Sequence, residues 1–252
     1  MRLRLQVAAP PHIYFMKTEK AVVLFSGGLD STTALCWALE RGYVCTAVSF
    51  DYGQRHKKEN ASARRIASAM GVKLHGIKLA LPWLAASSLV DPAKKIPAAA
   101  PGRPVAKTGI PSTFVPGRNL MFASIGVSLA DSIGASAVVM GPNVVDYSGY
   151  PDCRPEFYRA LEKAVSAGTR RGAAGKKIKL LTPLIRLSKR EIILLGLRLR
   201  APLELTWSCY AGGALPCGRC DSCRLRAKGF KEAGIPDPAM RRLERRAVGR
   251  KP

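Results

Sequence analysis

Acidic residues are scarce in this sequence, and no uninterrupted apolar run is long enough to cross a bilayer. Seventeen Asp and Glu stand against 41 Lys and Arg, a formal charge of +24. The missing apolar run excludes a membrane-spanning helix. Arg2 and Arg4 open an N-terminal segment that Pro10, Pro11 and His12 break before any convincing cleavage site, so a secretory signal is not expected either. No repeat of solenoid period is found. The seven cysteines do not form a disulfide framework: four cluster near the C-terminus while Cys36, Cys45 and Cys153 are scattered, which fits a reducing, cytoplasmic compartment. With 47% hydrophobic and 23% charged residues the chain is globular, and 252 residues suit one large α/β domain with a small appendage. The cationic surplus favours polyanions, leaving ATP, pyrophosphate, RNA and simple solubilisation open. Much of it sits in Arg241, Arg242, Arg245, Arg246, Arg250 and Lys251, read as a solvated tail.

Apolar β-branched runs at Ala21–Phe25, Val44–Phe50, Lys73–Lys78, Ala137–Met140 and Ile178–Leu181 predict five strands. Helical patterns at Ser31–Glu40, Lys57–Met70, Leu120–Ile133, Glu156–Val165 and Ser188–Leu199 alternate with them. Gly71 is placed as a helix stop, and Ser188 with Glu191 spells a capping box. Such alternation implies βαβ units: a doubly wound α/β fold with helices on both faces of a parallel sheet. Residues 1–20 read as a leader, with Met16 as an alternative start; 21–200 as the nucleotide-binding domain; 201–238 as a metal-binding segment; and 239–252 as the basic tail. Asp91–Thr113 is rich in Pro, Ala and Gly and is expected to be a flexible loop or lid. Arg170–Lys177 reads as a basic loop.

Chemistry concentrates first at Ser26-Gly27-Gly28-Leu29-Asp30-Ser31, between the first strand and the first helix. There backbone N–H groups and the helix dipole converge into an anion site. Ser26 and Ser31 offer hydroxyls, and Asp30 can cap the helix or help hold Mg²⁺. No Gly-Lys-Ser/Thr ending makes it a Walker loop, and the Rossmann spacing is missing. Leu24 stands where a nucleophile elbow needs glycine. The bland alternative is a tight βα turn with ordinary capping residues. The stretch resembles the pyrophosphatase-loop (PP-loop) ATPases, which implies cleavage of ATP to AMP and pyrophosphate. On that resemblance Phe25, Ser26, Gly27, Gly28, Leu29, Asp30, Ser31, Thr32, Thr33, Ala34 and Leu35 form the ATP-binding segment.

Cys209, Cys217, Cys220 and Cys223 form the second concentration, with Gly218 permitting a sharp backbone course. Four thiolates suit one tetrahedral Zn²⁺ per chain, and a closed ligand set implies a structural metal. Redox-active thiols and an iron–sulfur cluster are the competing readings, separable by metal analysis.

Three further stretches, Tyr52-Gly53-Gln54-Arg55-His56, Phe114-Val115-Pro116-Gly117-Arg118-Asn119 and Asp146-Tyr147-Ser148-Gly149-Tyr150-Pro151-Asp152-Cys153-Arg154, resemble the 7-cyano-7-deazaguanine synthase (QueC) family. The resemblance implies a five-stranded parallel sheet of the adenine-nucleotide α-hydrolase type with a zinc knuckle, usually a homodimer. It also implies a carbon–nitrogen ligase that turns 7-carboxy-7-deazaguanine and ammonia into a nitrile, using ATP and Mg²⁺, with nucleic acid not required. Asp30, Ser31 and Arg118 are the candidate catalytic residues, Asp30 organising loop and metal. Arg118 suits phosphate or the substrate carboxylate, or else the capping of its own helix. Asp146, Tyr150, Asp152 and Arg154, with Arg118, are candidates for the guanine-like substrate or form a plain polar loop. His56 is a candidate general base, helix cap or phosphate ligand. A tRNA-modifying PP-loop enzyme and a noncatalytic zinc-containing nucleic-acid-binding protein are the alternative functions. The leader, the loop near Arg170, Arg200 in place of a glycine stop and the Arg-rich end depart from the family pattern.

Overall fold

The computed structural model describes residues 18–97, 110–144 and 150–240. The leader through residue 17, the central part of the expected lid (98–109), Asp146 and the tail beyond 240 lie outside the described residues.

Five parallel strands, β1 (Lys20–Leu24), β2 (Val44–Asp51), β3 (Lys73–Lys78), β4 (Ala137–Val139) and β5 (Lys179–Leu181), form one sheet in the order β3-β2-β1-β4-β5. β1 is central, pairing with β2 through Val22↔Thr46 and with β4 through Val22↔Val138. Its side chains are apolar in both directions because both faces are covered. Val22 points into a core with Ala123, Val127 and Tyr158, from α3 (Arg118–Ile133) and α4 (Pro155–Gly168). Ala21 and Val23 point the other way, into a core with Leu35, Ile66, Ile192 and Phe230. These come from α1 (Leu29–Glu40), α2 (Lys58–Ala69), α6 (Lys189–Arg198) and α7 (Asp221–Glu232). The expected doubly wound sheet is therefore present, built on the two-residue alternation of strand side chains.

Three local features differ from the sequence reading. The basic loop after α4 contains one helical turn, α5 (Arg170–Ala173), because Thr169 Oγ1 accepts the Gly172 N–H and the Asp131 carboxylate accepts those of Arg170 and Arg171. Pro82–Ala86 forms a 3-10 turn, with proline starting it where no N–H partner is needed. α7 was unforeseen: its mean polarity hides a narrow apolar stripe ending in Phe230. The Ser188–Glu191 capping box is formed as expected. Past α6, Arg200 takes the left-handed conformation (φ 52°) where glycine ends helices without strain.

Candidate active site and metal centre

Strand order reverses between β1 and β4, and in open α/β sheets ligands bind outside the carboxyl ends of strands at such a point. A cavity of about 250 Å³ opens there. Phe25 and Ser26 after β1, and Met140 to Asn143 after β4, contribute to its floor.

The loop after β1 is wired by its own hydroxyls. Ser26 Oγ accepts the Gly28 N–H at 3.2 Å and lies 3.1 Å from Ser31 Oγ, while the Ser26 N–H donates to Ser31 Oγ at 3.3 Å. Gly27 makes this course possible: its φ is +84°, and a Cβ there would lie 2.3 Å from the Ala63 backbone nitrogen of α2. Gly28 is the N-cap and no side chain caps the helix, so Asp30 is not the cap. It lies inside the first turn, and its carboxylate instead accepts from Lys189 Nζ through both oxygens at 2.7 Å. Phe25, Ser26, Gly28, Leu29, Asp30 and Ser31 line the cavity. The rest of the expected ATP segment does not: Thr32 and Thr33 donate back to the carbonyls of Gly28 and Leu29, and Ala34 and Leu35 are core residues with no exposure.

Lys189 was missed by sequence reasoning. It is the first residue of α6, positioned by the Ser188 cap, and its stem lies against α7, where a Cβ on Gly229 would come within 2.5 Å of Lys189 Cγ. A lysine directly after a capping serine was the available signal, but only the tertiary fold brings it 159 residues back to Asp30.

The opposite end of the cavity is more apolar. Phe50 stacks on Phe122 with ring centroids 3.9 Å apart and planes within 6°. Arg118, at the start of α3, lines the cavity beside Tyr52 and Tyr150. Burial works against its charge, but Tyr52, Asp152 and Tyr150 more than offset this and hold the guanidinium above its usual range. Burial also raises the phenol of Tyr52, which stays neutral. Tyr150 Oη lies 2.7 Å from Thr113 Oγ1.

Asp152 is buried but does not line the cavity; its carboxylate accepts the Asn119 N–H at 3.1 Å and so holds the first turn of α3, including Arg118. Arg154 is exposed at the N-cap of α4, away from the cavity. Of the expected substrate set, Arg118 and Tyr150 are brought together at the cavity, with Asp152 behind them. Cys153 lines the cavity, and burial pushes its thiol up to about 11, so it stands as a neutral thiol at physiological pH.

The cysteine segment forms a further wall. Sγ atoms of Cys209, Cys217, Cys220 and Cys223 all lie within 4.8 Å of one another. The Cys217 N–H points at Cys209 Sγ (3.2 Å) and the Cys220 N–H at Cys217 Sγ (3.4 Å), donors that suit sulfurs carrying negative charge. Four thiolates so close repel one another unless a cation sits among them, and this donor set fits a metal ion. The Trp207 N–H donates to the Gly27 carbonyl at 3.1 Å and Trp207 Nε1 to the Cys209 carbonyl at 3.0 Å, linking the cysteines and the loop after β1 through one residue. Among the described residues no helix is long and apolar enough to cross a membrane.

Comparison with known proteins returns a match to the family described as queuosine biosynthesis protein QueC over residues 20–234. The protein named 7-cyano-7-deazaguanine synthase from Acetivibrio thermocellus is 51% identical over 219 residues, covering 87% of this chain and 96% of the relative. Proteins of the same name from Thermoplasma volcanium and Synechococcus elongatus are 48% and 47% identical, over 87% and 92% of this chain and 90% and 96% of their own lengths.

Proposed function

We propose, from the fact that this chain belongs to the queuosine biosynthesis protein QueC family, that it is an ATP-dependent carbon–nitrogen ligase converting 7-carboxy-7-deazaguanine and ammonia into 7-cyano-7-deazaguanine. The observation that carries this reading is the agreement between relatives of that name, similar along nearly their whole length, and a phosphate-type loop opening onto the cavity at the sheet's switch point.

A free carboxylate resists ammonia because its charge repels an electron pair and oxide is a poor leaving group. Attack of a carboxylate oxygen on the α-phosphorus of ATP makes an acyl adenylate and releases pyrophosphate. Ammonia then displaces AMP to give the amide. A second adenylation on the amide oxygen, followed by loss of AMP, gives the nitrile. One ATP is used in each half.

The first-turn amides of α1 and the hydroxyls of Ser26 and Ser31 are placed to cradle the polyphosphate. Lys189 adds a positive charge beside them, fixed by Asp30 and therefore preorganised for the charge that develops on pyrophosphate. Mg²⁺ accompanies the nucleotide, with Asp30 as the nearest carboxylate of the loop. Arg118 faces the substrate carboxylate, and Tyr52 and Tyr150 flank the deazapurine; the Phe50–Phe122 stack supports an aromatic ring at that end of the cavity. Zn²⁺ is the metal the four cysteines are suited to hold, and its role is to fix the wall that carries Trp207. The enzyme works as a cytoplasmic homodimer in this reading. Incubation with ATP, ammonium and 7-carboxy-7-deazaguanine, with the product weighed by mass spectrometry, tests it; the absence of both amide and nitrile refutes it.

A further inference from the structure

Gly28 ends the loop after β1 with φ −78° and ψ 168°, a conformation any residue adopts, so its missing side chain answers to space rather than to backbone freedom. A Cβ there would lie 2.9 Å from Glu59 Oε1, 3.2 Å from Ser26 Oγ and 3.5 Å from the carbonyl oxygen of Trp207. Three oxygens thus converge on one point from the loop, the first turn of α2 and the cysteine segment, and all four residues line the cavity. Glu59 is fixed through its other oxygen: Oε2 lies 3.0 Å from His56 Nε2, with the glutamate side chain 19% exposed and the histidine 6% exposed. Oε1 is the oxygen left beside Gly28.

A carboxylate beside the amides that are to grip a polyphosphate repels the nucleotide unless a cation lies between them. Among the described residues two carboxylates line the cavity, those of Asp30 and Glu59. Asp30 is already engaged, because both its oxygens accept from Lys189 Nζ at 2.7 Å and an ammonium so placed repels a second cation. Lys58, next to Glu59 in the chain, is turned elsewhere: it donates to the Ala214 carbonyl at 2.7 Å and lies 4.9 Å from the centre of the Trp207 ring. Hard divalent cations take oxygen ligands, and Mg²⁺ in nucleotide sites is held by one or two carboxylates together with the phosphates. We propose that Glu59 is the carboxylate that binds the divalent cation accompanying ATP, with the Ser26 hydroxyl and the Trp207 carbonyl completing an oxygen-lined wall, while Asp30 serves Lys189. The inference rests on the ligase reading above, which brings the nucleotide to this cavity. It gives α2 and the cysteine segment a direct part in nucleotide binding.

Mn²⁺ is the probe, added to the purified full chain with saturating α,β-methylene ATP, an analogue that is not cleaved between those phosphates; electron paramagnetic resonance counts the free ion. Glu59→Gln keeps the shape of the side chain and removes its charge. Its Mn²⁺ affinity in the nucleotide complex should fall at least about tenfold, the smaller loss met when even an outer partner of a bound metal is changed. Its affinity for the analogue without divalent ion should hold or rise, because the repelling carboxylate is gone. Glu59→Asp, which keeps the charge, should recover part of the lost Mn²⁺ affinity. Unaltered Mn²⁺ affinity in Glu59→Gln overturns the proposal, as does an equal loss of analogue affinity with and without Mn²⁺, which would make Glu59 a packing residue. A starting protein that binds the analogue under neither condition would instead overturn the ligase reading, and this inference with it.

Discussion

Replacing Lys189 by methionine removes the ammonium that grips Asp30 yet keeps a stem of similar length against Gly229. Two unit charges at about 4 Å attract by roughly 4 kcal/mol at an effective dielectric constant of about 20, and breaking a buried pair costs about 3–5 kcal/mol. The lysine side chain is 9% exposed and that of Asp30 is 23% exposed, so water recovers part of the orphaned carboxylate's solvation. A loss of about 2–3 kcal/mol follows, which for a chain of this size lowers Tm by about 4–12 °C. The catalytic loss is separate. Removing one preorganised donor from a developing oxyanion costs about 10²–10³ in rate, so pyrophosphate release should fall at least about 100-fold. Asp30→Asn should also destabilise, since the lysine loses a carboxylate that both its 2.7 Å contacts reach. In Asp30→Asn/Lys189→Met neither charge is left unpaired, and stability should return part of the way to the starting protein, a coupling of at least about 1 kcal/mol in a double-mutant cycle. Thermal melts of the four proteins together with pyrophosphate assays check both halves. Additive losses of stability would refute the buried pair, and a Lys189→Met enzyme of ordinary rate would refute its role at the phosphates.

Gly27→Ala should disrupt the loop outright, because the left-handed φ and a backbone nitrogen 2.3 Å from the new Cβ leave no room to adjust; loss of nucleotide binding by calorimetry, with a lowered Tm, is the expected result. Arg200→Gly should stabilise the protein by about 0.5–1 kcal/mol, the relief of a left-handed side chain less the added freedom of the unfolded glycine, read as a small rise in Tm with unaltered activity. Cys220→Ser should lower bound metal well below one per chain by elemental analysis and reduce ATP affinity, since Trp207 ties the cysteine segment to Gly27; full metal content and affinity in the variant would contradict that linkage. Because burial raises the Cys153 thiol to about 11, its thiolate fraction at pH 8 is on the order of one in a thousand, and its alkylation should lag far behind that of a free thiol and accelerate as pH rises.

Local signals carried the parts of this fold that depend on neighbours in the chain. The boundaries of β3 and the Ser188–Glu191 box were legible because a two-residue pleat and a three-residue cap are short-range physics. The loop after β1 was legible as a loop, while the burial of the four residues beyond Ser31 in the segment read as ATP-binding is a property of the packed helix. Asp30 was singled out as the acid of the loop while its partner was invisible, since nothing in the sequence between them, a separation of 159 positions, ties Lys189 to it. Arg154, adjacent in sequence to Asp152 and Cys153, is turned outward by the start of α4, which adjacency in the chain does not reveal. α7 escaped notice because it is the most polar of the long helices and its buried face mixes Cys223, Arg226 and Gly229 with Leu225 and Phe230, Gly229 meeting Lys189.

That last contact bears on how the two concentrations of chemistry cooperate. The cysteines contribute no open ligand position, yet the segment they hold touches the cavity from two directions. Trp207 binds the carbonyl of Gly27, and α7, whose N-cap is Cys220, carries the Gly229 surface on which the Lys189 stem lies. Arg226 anchors the same helix, its guanidinium bonded to Asp237 at 2.6 and 2.9 Å and to Thr206 at 2.8 Å. A metal held among the cysteines would thus restrict both the loop after β1 and the Lys189 side chain. Rigid placement of donors is what lets them stabilise a developing charge without reorganising, and so a metal bound at the cysteines would act on rate through position.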